Sequence, residues 1–394
     1  MNQYLKKYPY TKISFGLGAR KEIEKLAPQL GNKALFATSR GFAKKQGFLD
    51  EVVSSFNKIG VSLQDFTGIE PEPSDTTVGN LAKVIKKYKP DFLIALGGGS
   101  VIDALKAASA VASLGMELKD LYGADMVSQA LAKNKAQLRP LVAIPSTSGS
   151  GSEVTKYAMV FDAKDKLKKM ITDMALVPKI ALIDPEIMMT MPESLTVATG
   201  LDALTHLVEA YLSGLHAPDW LAPMTMDAIQ IILQYLPIAR EHPLLMEPRE
   251  KMALASTCAG IAICYKGTGL PHGFSYAFRD VLPHGSVVAL LLIPCWKYYL
   301  PAVEEKTRKL APAFRVDPAL PINDLAEAIF SELRKLYQKL GLPASLAEAP
   351  GVTNAVLRRS VENLSKNQVK LENAPRPVPP KQAQEILAQI IKSA

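Results

Sequence analysis

From Lys33 to Pro185 the chain alternates short apolar runs with amphipathic stretches, and after Pro185 the alternation stops. "KALFAT" (Lys33–Thr38) reads as a buried strand, followed by a helical stretch to about Lys58. "GVSLQDF" (Gly60–Phe66) reads as a second strand, "VGNLAKVIKKY" (Val78–Tyr88) as an amphipathic helix, and "DFLIALGGGS" as a strand that runs into three glycines. "LVAIPS" and "IALIDP" (Ile180–Pro185) supply two more strands. Strand and helix in strict alternation predict a parallel sheet joined by crossover helices.

Beyond Pro185 the apolar residues recur with helical period. Ser194–Ser213, Thr225–Leu236 and Glu250–Tyr265 read as long helices, and further helices fill the tail from Asn323, interrupted by "RPVPP" (Arg376–Pro380). The expectation is therefore an α/β domain over residues 1–185 that binds a dinucleotide. An all-helical domain over residues 186–394 follows it. The 394 residues suit two cores better than one, and no internal repeat is visible.

Charge and cysteine content narrow the function classes. The net charge of +8 comes from scattered lysines, which read as a solvated surface and not as a nucleic-acid footprint. Cys258, Cys264 and Cys295 have no C-x-x-C spacing, so neither a disulfide framework nor a thiolate metal site is expected. The first residues lack the apolar core of a signal peptide, and the longest apolar run, Val287–Trp296, is too short to cross a bilayer. A soluble, cytoplasmic protein with no membrane and no nucleic-acid partner is the expectation.

Two loops are candidates for binding an anion. Gly97, Gly98 and Gly99 lie between a strand and a helix, where bare backbone can approach a phosphate and the first-turn amides can bind it. A tight turn needing positive φ accounts for them equally well. "STSGSGS" (Ser146–Ser152) follows another strand, and Ser146, Thr147 and Ser150 offer hydroxyls; a plain flexible loop is the competing reading. Loops at the carboxyl ends of parallel strands are where such sheets bind ligands.

The five histidines are unevenly used. Asp202 and His206 are four residues apart on one helical face, half of a metal site or a solvated pair. His272 and His284 each stand between a proline and a glycine in the apolar stretch "GLPHGFSYAFRDVLPHG". Together the four offer one oxygen and three nitrogens, a set that suits Fe²⁺ or Zn²⁺ and not Ca²⁺ or Mg²⁺. His216 and His242 read as surface loop residues.

"GGGSVIDALK", "IPSTSGSGSEVT", "ALIDP", "GLDALTHLVEAYLS" and "LPHGSVVALLLIP" follow one another as they do in the iron-containing (group III, metal-dependent) alcohol dehydrogenase family, which this sequence resembles over almost its whole length. The resemblance implies a Rossmann-like domain and a helical domain in the architecture shared with dehydroquinate synthase. It implies that Asp202, His206, His272 and His284 hold the metal, that Gly97, Gly98, Gly99 and Ser100 meet the pyrophosphate, and that Asp103 belongs to the same motif. By the same resemblance, Ser146, Thr147 and Ser150 line the cofactor site, Lys168 reaches toward the cofactor, and the enzyme is a homodimer.

The implied reaction passes a hydride between a primary alcohol or aldehyde and NAD(P), with the metal as Lewis acid. There are two departures from the family pattern. Tyr276 replaces a histidine usually given proton transfer, leaving Tyr276 or a water chain for that task, and the spacing from His272 to His284 is slightly short. The strand "KALFAT" ends in Ser39 and Arg40 where NAD-preferring sites commonly carry an acid, so NADP(H) is expected over NAD(H). A zinc polyol dehydrogenase resembling glycerol dehydrogenases, a lyase resembling dehydroquinate synthase, and a non-catalytic nucleotide- or metal-binding relative are the alternatives.

Overall fold

A computed structural model describes residues 2–279 and 281–394. The chain forms two compact units. One comprises Leu5–Thr147 and Gly151–Thr190; the other comprises Met1–Tyr4, Ser148–Ser150 and Met191–Ala394. The first unit ends slightly beyond residue 185, because the short helix Pro185–Met188 stays with it.

The first unit contains β1 (Lys12–Phe15), β2 (Lys33–Ser39), β3 (Ser62–Ile69), β4 (Phe92–Gly97), β5 (Gly123–Ala124), β6 (Leu141–Pro145), β7 (Tyr157–Asp162), β8 (Leu167–Thr172) and β9 (Ile180–Ile183). Six of these make one parallel sheet in the order β1-β9-β6-β4-β2-β3. Its strands are apolar at consecutive positions because both faces are covered. Leu35, Ala37, Leu93, Ala95 and Ala143 pack with helices Asp75–Tyr88 and Gly99–Leu114. The alternate residues Ala34, Phe36, Ile94, Val142 and Ile144 pack with helices Ile23–Leu30 and Phe48–Ile59 on the other face.

The strand order reverses between β2 and β4. The carboxyl ends of these two strands, Ser39 and Gly97, therefore lie side by side at a switch point, where open sheets of this kind bind ligands. Sequence reading did not find β1, β5 or the β7–β8 hairpin as strands. β1 is a short edge strand, and β8 ("LKKMIT") has two lysines in an otherwise weak pattern.

The second unit is helical. Helix Glu193–Leu212 packs on Leu221–Glu241, Met246–Lys266 and His284–Tyr299, so nearly all of its sides are buried. Arg249, itself buried, secures its start by donating to Met191 O (3.1 Å) and Thr196 Oγ1 (2.7 Å). The segment His284–Ala302 is long and apolar enough to span a membrane by composition, yet 67% of it is buried inside this unit, as a core helix is.

Two glycines let these helices approach closely. A Cβ on Gly285 would stand 1.7 Å from the Ala198 carbonyl oxygen, and one on Gly200 would stand 2.4 Å from Leu236. The Ala198 oxygen belongs to helix backbone and cannot swing aside. Gly285→Ala should accordingly cost at least the ~1–3 kcal/mol typical of overpacking. We expect a lower Tm together with a lower metal content, because the same shift displaces His284; an unchanged Tm and full metal content would contradict this packing.

Candidate metal centre and nucleotide site

The four expected metal ligands come together in the helical unit. Asp202 and His206 lie one turn apart on helix Glu193–Leu212, His272 is on the short helix Leu270–Ser275, and His284 opens helix His284–Tyr299. Pro271 stands in the first turn of the His272 helix, and Pro283 is the cap residue before His284. The Nε2 atoms of His272, His284 and His206 lie 3.3, 3.5 and 3.7 Å from the same oxygen, Asp202 Oδ1. Asp202, His206 and His272 are buried, while the His284 side chain is 33% exposed, so solvent reaches the centre from that side.

The electrostatics fit a cation. Burial would raise the Asp202 carboxyl, but the imidazoles around it hold it below the ordinary range. Burial pushes His206 down to about 4 against the pull of Asp202, so its ring is neutral and its lone pair free for a metal. His206 also stacks on His272, with ring centroids 4.5 Å apart. Burial would lower His272 too, but Glu209 and Asp202 outweigh it and hold the ring at about 9. Three imidazole nitrogens and one carboxylate oxygen converging in a buried, largely apolar packing are donors for Fe²⁺ or Zn²⁺. The solvated-pair reading of Asp202 and His206 fails because neither is on the surface. His216 and His242 are exposed, as expected.

Tyr276 begins a 3₁₀ turn directly after the His272 helix. Burial, with a smaller contribution from the Glu209 carboxylate, pushes its phenol up to about 12. It keeps its proton at neutral pH and can donate a hydrogen bond, but it cannot act as a base there.

The α/β unit holds most of the expected nucleotide contacts. Gly97 ends β4, and Gly99 and Ser100 begin the helix Gly99–Leu114. None of the three glycines has positive φ; Gly98 is extended at −72°. Their smallness serves close approach instead, since a Cβ on Gly97 would meet Val101 at 2.5 Å and one on Gly98 would meet Thr147 at 3.3 Å. Ser146 N–H donates to Gly97 O (2.9 Å), which ties the serine loop to the glycine turn.

The remaining residues are distributed differently. Ser39 is half-buried at the end of β2, with Arg40 exposed beside it. Ser100 Oγ accepts from Glu72 N–H (3.0 Å), and Lys168 is ion-paired with Glu72. Asp103 is buried, accepting from Ser152 Oγ–H and from Met159 N–H (3.0 Å), so its carboxylate is engaged inside the unit. Ser150 groups with the helical unit.

Two family models match the chain: iron-containing alcohol dehydrogenase over residues 10–185, and the C-terminal part of the Fe-containing alcohol dehydrogenase family over residues 196–391. The chain belongs to the iron-containing alcohol dehydrogenase family. It is an alcohol oxidoreductase of the kind that works with iron and NAD(P). It is 31% identical over 364 residues to the NADPH-dependent butanol dehydrogenase of Clostridium saccharobutylicum, covering 91% of this chain and 89% of that one. It is 32% identical over 385 residues to the NAD-dependent methanol dehydrogenase of Bacillus methanolicus, covering 96% and 97%. The solved alcohol dehydrogenase of Oenococcus oeni superposes with a TM-score of 0.87 at 28% identity, covering 96% and 99%.

This alcohol dehydrogenase has one further residue at the candidate metal centre that the sequence reading did not single out. Glu209 is buried on the helix of Asp202 and His206, and one oxygen of its carboxylate accepts a hydrogen bond from His272 Nδ1, with Nε2 of the same ring directed at Asp202. Its other oxygen accepts from Gly269 N–H (2.9 Å), at the start of the His272 helix. The spacing 202, 206, 209 repeats one helical face, and that periodicity was the available signal. Glu209→Gln should weaken metal binding by about 10–100-fold, the usual cost of removing such a partner. Competition with a calibrated chelator would measure it; parental affinity would show that Glu209 serves packing alone.

Proposed function

We propose that this protein is an iron- or zinc-dependent, NADP(H)-preferring dehydrogenase of primary alcohols, equally an aldehyde reductase, with Asp202, His206, His272 and His284 as its metal ligands. The observation that carries the assignment is the convergence of three imidazole nitrogens on one buried carboxylate oxygen. A divalent ion held there supplies Lewis acidity toward the alcohol or carbonyl oxygen, and the nicotinamide supplies the hydride acceptor or donor.

The chain's own residues do the rest. Glu209 fixes the tautomer and orientation of His272. Burial of Asp202, His206 and His272 keeps competing water from three of the four donors. Tyr276, protonated at neutral pH, donates a hydrogen bond to substrate oxygen or to a water relay that carries the proton. Gly97, Gly98, Gly99 and Ser100 receive the pyrophosphate at the helix N-terminus, with Ser146 and Thr147 beside them. Lys168 and Ser150 are assigned to the cofactor on family resemblance.

Relatives of nearly equal identity are named for NADPH and for NAD, so family membership leaves the nucleotide open. Ser39, at the carboxyl end of β2 and followed by Arg40, supports NADP(H): no acid stands there to repel a 2′-phosphate. A cytoplasmic homodimer completes the reading.

The decisive experiment measures initial rates of NADPH and NADH oxidation with short aldehydes on chelator-stripped protein, before and after anaerobic Fe²⁺, with Zn²⁺ in parallel. Restored turnover supports the assignment, whereas a preference for polyols with Zn²⁺ favours a glycerol dehydrogenase-like enzyme. Absence of turnover with either ion and either nucleotide overturns it. Ser39→Asp should weaken NADPH by about tenfold or more relative to NADH, roughly the worth of one unfavourable charge contact at such a site. Equal loss for both nucleotides would remove Ser39 from the specificity determinants.

A further inference from the structure

The α/β unit buries a lysine for which the reaction has no use. Lys106 lies on the glycine-turn helix and is 1% exposed. Its three N–H groups are surrounded by five oxygens within hydrogen-bond distance: Ser152 O (2.7 Å) and Oγ (3.1 Å), Thr155 O (2.8 Å) and Oγ1 (3.2 Å), and Tyr157 O (2.9 Å). Asp103, one turn earlier and 3.9 Å from the ammonium, accepts from Ser152 Oγ–H and Met159 N–H. One face of this helix thus grips the chain from Ser152 to Met159.

Burying a charge is costly, and an apolar side chain would fill the same space with less desolvation. What the charge adds is direction. Carbonyl oxygens from an irregular stretch, the 3₁₀ turn Ser152–Val154 and the entry to β7, all face one point. The stretch is tied to the same strand–helix junction at its other end, where Ser146 N–H donates to Gly97 O. β7 then pairs with β8, placing Lys168 opposite Phe161. Lys168 holds Glu72, whose N–H returns to Ser100 Oγ in the first turn of the helix that carries Lys106. The glycine turn, the serine loop and the Lys168 hairpin form one closed circuit.

We infer that Lys106, with Asp103, is a positioning residue for the cofactor: it fixes the glycine turn, the serine loop and the Lys168 hairpin in their binding arrangement before the nucleotide arrives. This rests on the assignment of the glycine turn as the pyrophosphate site. Ordering these segments in advance lowers the cost of binding without touching the reacting atoms. Asp103, placed by motif among the cofactor contacts, acts on the cofactor through the loop it holds.

The test is NADPH titration by nucleotide fluorescence, with steady-state kinetics, on metal-loaded parent, Lys106→Met and Ser152→Ala. Losing a hydrogen-bonded charge should raise Kd and KM for NADPH by about tenfold or more, and losing the serine hydroxyl by about threefold. In both variants kcat at saturating NADPH should change less than KM, with metal content as in the parent. A lysine that serves folding alone would lower the active fraction and leave KM unchanged in the surviving molecules, which overturns the inference. Ser152→Ala, the milder change, decides the matter if Lys106→Met does not fold: a parental Kd there overturns it. A parent that binds neither NADPH nor NADH removes the nucleotide site itself, a failure distinct from parental binding by the variants.

Discussion

The helical unit depends on a carboxylate taken out of water. Asp202 lies inside a helix that is covered on nearly every side, and its charge is tolerated because three imidazoles face it. That arrangement dictates how its neighbours pack. The Asp202 helix and the His284 helix must approach closely enough for Gly285 to lie against a carbonyl oxygen, leaving no space for a methyl group. Glu209 brings a second buried carboxylate to the far side of His272, so the ring is gripped at both nitrogens. A centre that gathers one buried carboxylate oxygen and three imidazole nitrogens suits a divalent cation, whose charge would replace the proton that His272 otherwise keeps.

A comparable economy operates in the α/β unit, where small residues and backbone crowd the end of the sheet. Parallel pairing throughout the six-stranded sheet brings every strand's carboxyl end to the same edge, and the reversal of strand order opens a place between β2 and β4. The glycines at that edge are there for room: Val101 and Thr147 occupy the positions that their Cβ atoms would take. Lys106 and Asp103 hold the surrounding loops from within, which explains how an irregular stretch rich in serine and glycine keeps a single shape. The most polar loop of the unit is thereby anchored by one of its most buried charges.

Much of this was legible in the sequence. Strand runs such as "KALFAT" and "DFLIALG" announce themselves because burial on both faces demands continuous apolar residues, and the change to helical period after Pro185 separates the two folds. The cluster of Asp202, His206, His272 and His284 was legible as a candidate because histidines are few, and because i, i+4 spacing puts Asp202 and His206 on one helical face. The weaker strands β1 and β8 were not legible. β1 takes its pairing from Ile180–Ile183, far along the chain, and β8 takes it from the adjacent strand Tyr157–Asp162 across a hairpin turn, so neither rests on its own local pattern.

The sequence by itself determined the stronger elements, their order and the chemical type of the candidate donors, since these follow from residue type and short-range periodicity. Tertiary structure alone decided which atoms meet. It directed His272 onto both Asp202 and Glu209, turned Asp103 inward to Ser152 and Met159, and gave Lys106 its oxygens 46 to 51 residues away. The physical reason is that a buried polar group takes its partners from whatever backbone and side chains the packing brings within hydrogen-bond reach, and local periodicity carries no record of that.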